Sequence, residues 1–479
     1  MIRARLATAA SWLGAPGVAV DAEFCGVTTD SRHVLPGQLF IPLVGERFDG
    51  HQFVGAAMER GAAGFLWESG QPVPAELAQF PHLSVPDTLK ALQDLARAYR
   101  NTLDVRVIGV TGSNGKTSTK DLIAAALADE LRTHKTDGSL NNHIGLPLTL
   151  LGLPQDAEIV VLEMGMRGIG EIAALADIAR VDIGVITLVG DAHIGRLGSR
   201  AAIAKAKWEL IEALRSGGVA VIPDAEPLLD GLAAPAGVAV VRFGESPAAD
   251  WRLEDYAAVA GGSEFRVLPA DVFVSLPVFG RHQARNALCA LAVADIVGVD
   301  VRRAARALGK ASLSRMRMEI SQPHPLLTVV NDAYNAAPAS VYAAFEVLRD
   351  LPVDYRIVVL GDMLELGEES ERLHREVGQA LRKFGVDAVL AVGEYARFYQ
   401  EGAVGAPQEG AAGAPQEGAA GTPATAQVQA AVEGAGVLHA WIEEGLTSGR
   451  NTVVLLKGSR RVGLETLLPG LEQWLSQRR

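Results

Sequence analysis

Aromatic residues are scarce in this chain of 479 residues, at 5%, so its cores must be assembled from Ala, Val, Leu and Ile rather than from rings. Only two cysteines occur, Cys25 and Cys289, which gives neither a disulfide framework nor a zinc-ligand spacing and fits a reducing compartment. No uninterrupted apolar stretch of about 18 residues exists, so no integral membrane segment is expected. The apolar run behind Arg3 and Arg5, from Leu6 to Val20, is broken by Gly14, Pro16 and Gly17. That argues against a signal peptide and leaves the cytoplasm as the expected location. Basic residues are also in deficit, with 44 Lys and Arg against 56 Asp and Glu and a net charge of −12. A broad nucleic-acid footprint needs a basic face, so no nucleic-acid partner is expected. A local site for a phosphorylated small molecule stays open.

What is present is ordinary globular composition, 49% hydrophobic and 21% charged, over a length that corresponds to about three domains. From Val105 onward short aliphatic runs alternate with helical periods. Val105–Val110, Ile159–Leu162, Ile183–Val189, Tyr355–Leu360, Ala388–Val392 and Thr452–Leu456 read as strands, and Ser118–Leu131 as a helix. The fold class is therefore α/β, with parallel sheets covered on both faces and sites gathered at the carboxyl ends of the strands. The first hundred residues, punctuated by Gly and Pro, form a separate domain. Seams near residues 104 and 312 divide the chain into 1–104, 105–311 and 312–479. The octapeptide GAPQEGAA, Gly405–Ala412, recurs at Gly413–Ala420, and the segment 405–423 reads as a low-complexity surface loop.

The first strand of the central region runs into TGSNGKTS, Thr111–Ser118, and then into a helix. Such a turn aims backbone N–H groups and a helix N-terminus at phosphate oxygens. Gly112, Ser113, Asn114, Gly115, Lys116, Thr117 and Ser118 are the candidate ATP loop, with Lys116 reaching the β and γ phosphates and the Thr117 hydroxyl binding Mg²⁺. Glu163 and His193 follow two later strands, where a nucleotide-bound metal needs ligands. Alone, Glu163 also reads as a capping carboxylate and His193 as a surface histidine. On the helix 201–214, stepping 100° per residue, Lys207 falls inside the apolar face of Ile203, Ala206, Leu210, Ile211 and Leu214. Lys205, Glu209 and Glu212 fall on the opposite, solvated face. An ammonium in that position is either buried and reactive or a snorkelling stem.

These residues resemble the Mur ligases of bacterial cell-wall synthesis. TGSNGKTS looks like their ATP loop, Glu163 and His193 match their Mg²⁺ ligands, and Lys207 in AKAKWE matches the lysine that carries CO₂ as a carbamate. One departure is Leu188, where the family usually has Asn. TTDSR, PGQLF and GERFDGHQF near the start look like the domain that holds the UDP-sugar. GSLNNHIGLPLTLL, EMGMRGIGEI, NDAYNAAPAS, GDMLELG and KGSR are similar to the member that adds D-alanyl-D-alanine.

The resemblance implies a small N-terminal α/β domain for the UDP-MurNAc-peptide, a central P-loop ATPase sheet and a C-terminal Rossmann-like domain. It implies a monomer that uses ATP and Mg²⁺, with UDP-MurNAc-tripeptide and D-Ala-D-Ala as substrates. Ser31, Arg32, Phe40, Asp49, Asn141 and Asn142 are then the candidates for the UDP-sugar and peptide. Asn286 in GRHQARNA is the candidate beside adenine, and Arg317 and Asp332 approach phosphates and ribose. From local sequence alone, Arg317 reads equally as a surface arginine and Asp332 as a turn aspartate. Tyr334, Asn335, Lys457 and Ser459 mark the D-Ala-D-Ala region, and Lys116, His193 and Lys207 are the catalytic candidates. A sister ligase that adds the third amino acid shares the TDSR region but not NDAYNAAP. A folylpolyglutamate synthetase has no use for the TDSR domain, and a P-loop regulator does not need Glu163, His193 and Lys207 together.

Overall fold

The computed structural model describes residues 1–45, 48–259, 261–404 and 422–477. The repeated octapeptide and most of the low-complexity segment lie outside the described residues. Three parallel-rich sheets follow one another along the chain. The first has four parallel strands, Val27–Thr28, Leu39–Phe40, Gly64–Glu68 and His82–Val85. The helix Leu6–Leu13 buries Leu6, Ala9 and Ala10 in the same region, so the apolar stretch near the start is part of a folded core. The helix Thr88–Asn101 starts at Asp87, whose carboxylate accepts from Lys90 N at 2.8 Å, which satisfies one N–H of its first turn.

The second sheet has nine strands. Its order runs 272–276, 262–268, 251–259, 239–244, 219–223, 183–186, 106–111, 159–163 and 133–135, antiparallel only at the first two pairings. The strand Ile159–Glu163 is buried at every residue, because helices cover both faces of its sheet. The strand expected over 183–189 ends at Ile186. Thr187 N still bonds Thr111 O at 2.9 Å, but the next residues leave the sheet to support the phosphate loop. The third sheet has six strands, ordered 319–324, 327–332, 452–457, 355–361, 388–392 and 424–428, antiparallel only between the first two. Ala, Val, Leu and Ile fill the interiors as the composition requires, with single large rings such as Trp208, Phe65 and Tyr399 completely enclosed.

His374 on the helix Ser370–Ala380 is fully buried in the C-terminal domain. Its Nε2 accepts from Met363 N at 3.0 Å, and its Nδ1 lies 2.6 Å from Ser370 O. This pair of contacts fits only a neutral ring with the proton on Nδ1. Burial pushes its pKa down to about 4, the Ser370 carbonyl opposing. The folded-state value lies below that of the unfolded chain, so the contribution is complete above pH about 6.5 and is lost as the pH falls toward 4. Acid should therefore cost the wild type about 3 kcal/mol more than His374→Gln across that window, measured by denaturant unfolding. Equal pH slopes for the two proteins would refute this.

Candidate active site

The phosphate loop joins the strand Arg106–Thr111 to the helix Lys116–Leu127. Gly115 at the N-cap, at φ 79°, brings no capping side chain, so the N–H groups of the first turn face outward for an anion. Gly112 has no room for a Cβ, which would collide with the Thr187 hydroxyl. That hydroxyl donates to Asn114 O at 2.5 Å, and Leu188 O accepts from Ser113 N at 2.9 Å. Leu188, the departure from the family pattern, thus supplies its polar contact from the main chain.

The loop opens on a cavity of about 430 Å³. Ser113–Ser118, Asn141 and Glu163 line it from the central domain, as does Asn286, whose side chain stands against Gly115. Arg317, Asp332, Tyr334, Asn335 and Lys457 line it from the C-terminal part of the chain. The Arg317 guanidinium stacks on the Tyr334 ring at 4.3 Å. Lys457 lies 2.6 Å from Asp332 Oδ2 and donates to Asn335 O at 2.8 Å, which ties the two candidate segments together. Residues of the candidate ATP loop and of the segment expected to meet D-Ala-D-Ala therefore line one enclosure.

Lys116 and Lys207 have no acidic side chain within ion-pair distance among the described residues. Among the described residues Lys116 bonds only its own loop, Gly112 O at 2.9 Å, and burial lowers its pKa, with Arg317 adding to the effect and Glu163 and Glu365 opposing it. Lys207, on the helix Arg200–Glu212, does not line the cavity: it is 1% exposed and has no ion pair or hydrogen bond among the described residues. Burial first, and then the field of Lys116, push its pKa far below the usual ammonium value. Glu163 accepts from Asn141 Nδ2 at 2.8 Å through Oε1, while its buried Oε2 has no partner.

Other candidates stand elsewhere. His193 does not line the cavity. Its Nδ1 lies 2.6 Å from Glu365 Oε2, and the imidazole holds that carboxyl below its ordinary pKa range. Among the described residues no three His, Cys, Asp or Glu side chains cluster as metal ligands. Phe40 is 1% exposed in a core with Val34, Phe65 and Trp67, so its ring is structural and unavailable to a ligand. Asp49 caps the turn Gly50–Phe53 through His51 N at 2.9 Å, and Asn142 accepts from Gly145 N at 2.9 Å. Ser459 accepts from Leu364 N at 3.1 Å and supports the GDMLELG segment rather than the cavity. Arg32 is exposed and bound to Asp30 at 2.8 Å, with Ser31 half-buried beside it. Glu209, expected on the solvated face with Lys205 and Glu212, is instead 8% exposed. Its carboxylate accepts from Gly170 N and Ala173 N at 2.6 and 3.1 Å, capping the helix Glu171–Ala179.

Sequence reasoning missed His282, Gln283, Asp224 and Glu226, all of which line the cavity. His282 and Gln283 precede Asn286 by four and three helical positions, a spacing that places them on its face. Asp224 directly follows the strand Val219–Pro223 and Glu226 comes two residues later, at the carboxyl edge where such residues are expected.

Comparison with known proteins agrees with this layout. Residues 23–100 match the catalytic domain of the Mur ligase family, 110–294 the Mur ligase middle domain and 316–460 the Mur ligase glutamate ligase domain. The UDP-N-acetylmuramoyl-tripeptide--D-alanyl-D-alanine ligase of Bacillus subtilis is 43% identical over 380 residues, 79% of this chain and 82% of that one. A crystal structure of MurF from Acinetobacter baumannii superposes with a TM-score of 0.85 at 28% identity, covering 97% and 98% of the two chains. MurF ligase from Thermotoga maritima in complex with ADP gives 0.81 at 28% identity, covering 95% and 98%. With its three sheets in sequence and a phosphate loop facing the C-terminal segments, the chain belongs to the Mur ligase family.

Proposed function

We propose that the protein joins D-alanyl-D-alanine to UDP-N-acetylmuramoyl-tripeptide at the expense of ATP, giving the UDP-MurNAc-pentapeptide used in peptidoglycan synthesis. The observation that carries this reading is the single cavity lined both by the phosphate loop and by Tyr334, Asn335 and Lys457 of the C-terminal part. A carboxylate does not condense with an amine in water at a useful rate, because its oxygen is a poor leaving group. Phosphorylation by ATP to an acyl phosphate removes that obstacle. The amine of D-Ala-D-Ala then attacks the acyl carbon, and phosphate departs.

In this reading residues 1–104 hold the UDP-sugar, with Ser31 and Arg32 at its surface, 105–311 bind ATP, and 312–479 present the dipeptide. Ser113–Ser118 hold the phosphates through backbone N–H groups, and Lys116 turns from Gly112 O to the phosphate oxygens. Asn286 lies by adenine, and Asp332 meets the ribose while Arg317 faces the phosphates. Asn141 orients Glu163. Two features fit a bound cation and a modified lysine: the unpartnered Glu163 Oε2, and Lys207 buried without counter-charge within the field of Lys116. Mg²⁺ held by Thr117, Glu163, His193 and Lys207 as its carbamate would neutralise phosphate charge during transfer. His193 must leave Glu365 to take part. The protein acts as a monomer in the cytoplasm.

Incubation with ATP, UDP-MurNAc-tripeptide and either D-Ala-D-Ala or a single amino acid tests the reading. Phosphate release is expected only with the dipeptide. Release with a single amino acid would identify a sister activity, and no release with any amine a regulator.

A further inference from the structure

The helix behind the phosphate loop carries two adjacent buried charges, Lys120 and Asp121, which the reaction as described does not use. Neighbours on a helix point about 100° apart, so the two side chains serve different surroundings. Lys120 Nζ donates to Thr136 O at 2.8 Å and Gly138 O at 3.3 Å, fastening the segment that leads to Asn141. The Asp121 carboxylate has no exposed surface. Its Oδ1 lies 2.6 Å from Lys135 Nζ and 3.6 Å from Lys120 Nζ. Its Oδ2 accepts from both Ser314 N at 2.9 Å and Ser314 Oγ at 2.7 Å.

Ser314 lies between the helix Val301–Leu308 and the strand Glu319–His324, at the passage from the central to the C-terminal sheet. Arg317 follows three residues later, flanked by Met316 at φ 59° and Met318 at φ 53°. Two non-glycine residues in the left-handed region within three positions mark a span whose surroundings dictate its path. Beyond it, Met318 N donates to Asp332 Oδ1 at 3.1 Å, and Met316 O accepts from Tyr334 N at 3.3 Å. Arg317 thus rides on a short strap. Asp121 fixes one end to the phosphate-loop helix, and the Asp332 segment fixes the other to the C-terminal sheet.

We propose that Asp121 is a positioning residue: by holding both donors of Ser314 it anchors the strap to the phosphate-loop helix and sets where Arg317 stands over the nucleotide. The inference rests on the phosphate role given to Arg317 above. A carboxylate with no access to water depends on each donor it keeps, so loss of one loosens the anchor without removing it. A displacement of about 1 Å in a group that faces reacting phosphates is enough to cost rate.

Ser314→Ala removes the hydroxyl and keeps the N–H. Expected is a fall of about 10-fold in kcat, with KM for the UDP-substrate unchanged and a cooperative melting transition lowered by only a few degrees. Ser314→Thr, which restores a hydroxyl, should recover most of the rate. In an Arg317→Ala background, Ser314→Ala should cost nothing further, because it acts through the residue already removed. An unchanged kcat in Ser314→Ala, failure of threonine to rescue, or the same loss in both backgrounds overturns the anchor. Arg317→Ala with wild-type kcat overturns the phosphate role itself and the anchor with it. An impaired Arg317→Ala beside an unaffected Ser314→Ala overturns the anchor alone.

Discussion

Lys207→Ala should abolish ligation, lowering kcat by about 1,000-fold, and high bicarbonate should not restore it. The reason lies in the charge around Lys207. Its helix buries it to 1% exposure, it has no counter-ion among the described residues, and the titratable group acting on it is another cation, Lys116. Keeping an ammonium there is expensive, which favours the neutral, nucleophilic amine, the state that can take up CO₂. The resulting anion would reverse the sign of the charge facing Lys116. Alanine removes the attachment point, which is why bicarbonate fails, whereas a small carboxylate such as acetate, entering the vacated space, should restore part of the rate. Labelling with ¹³C-bicarbonate gives a check independent of turnover: a carbamate resonance in the wild type that is missing from the variant. Full activity of Lys207→Ala would sink the carbamate.

Lys116→Ala should stop ADP release, by about 100- to 1,000-fold, while UDP-MurNAc-tripeptide still binds with nearly wild-type affinity in calorimetry. Among the described residues the Lys116 ammonium makes one hydrogen bond, to Gly112 O in its own loop, so its removal disturbs neither the four-stranded N-terminal sheet nor the interior of the nine-stranded one. In the proposed reaction, what it removes is the cation at the helix N-terminus that would meet the γ-phosphate charge during transfer. A parallel loss of UDP-substrate binding would show instead that the two sites are coupled through this side chain.

The elements that were legible in the sequence are those governed by local pattern. Ala388–Val392 is a run of apolar residues because both faces of its sheet are covered, and its bounds are as expected. The phosphate loop was legible because glycine is required at Gly112 and Gly115 for reasons of backbone path and close approach, which leave a fixed spacing. Lys207 was legible as an interruption in a helical apolar face. Glu209 on the same helix was not, since a wheel with one buried side does not anticipate a second helix whose N-terminus needs acceptors. Phe40 sits in a motif that resembles a binding segment, yet a two-residue strand in the middle of a small sheet turns its ring into the core.

By itself, then, the sequence determined the α/β class, most strands of the central and C-terminal sheets and the glycine-rich turn between strand and helix, because each follows from periodicity and spacing over about 10 to 20 neighbouring residues. Only the tertiary structure decided which distant groups meet. It brought His193 to Glu365, Asp121 to Ser314, and the phosphate loop to Arg317, Tyr334 and Lys457. Those pairings depend on how the central and C-terminal sheets are set against each other, a relation that long-range packing fixes and that no local pattern encodes.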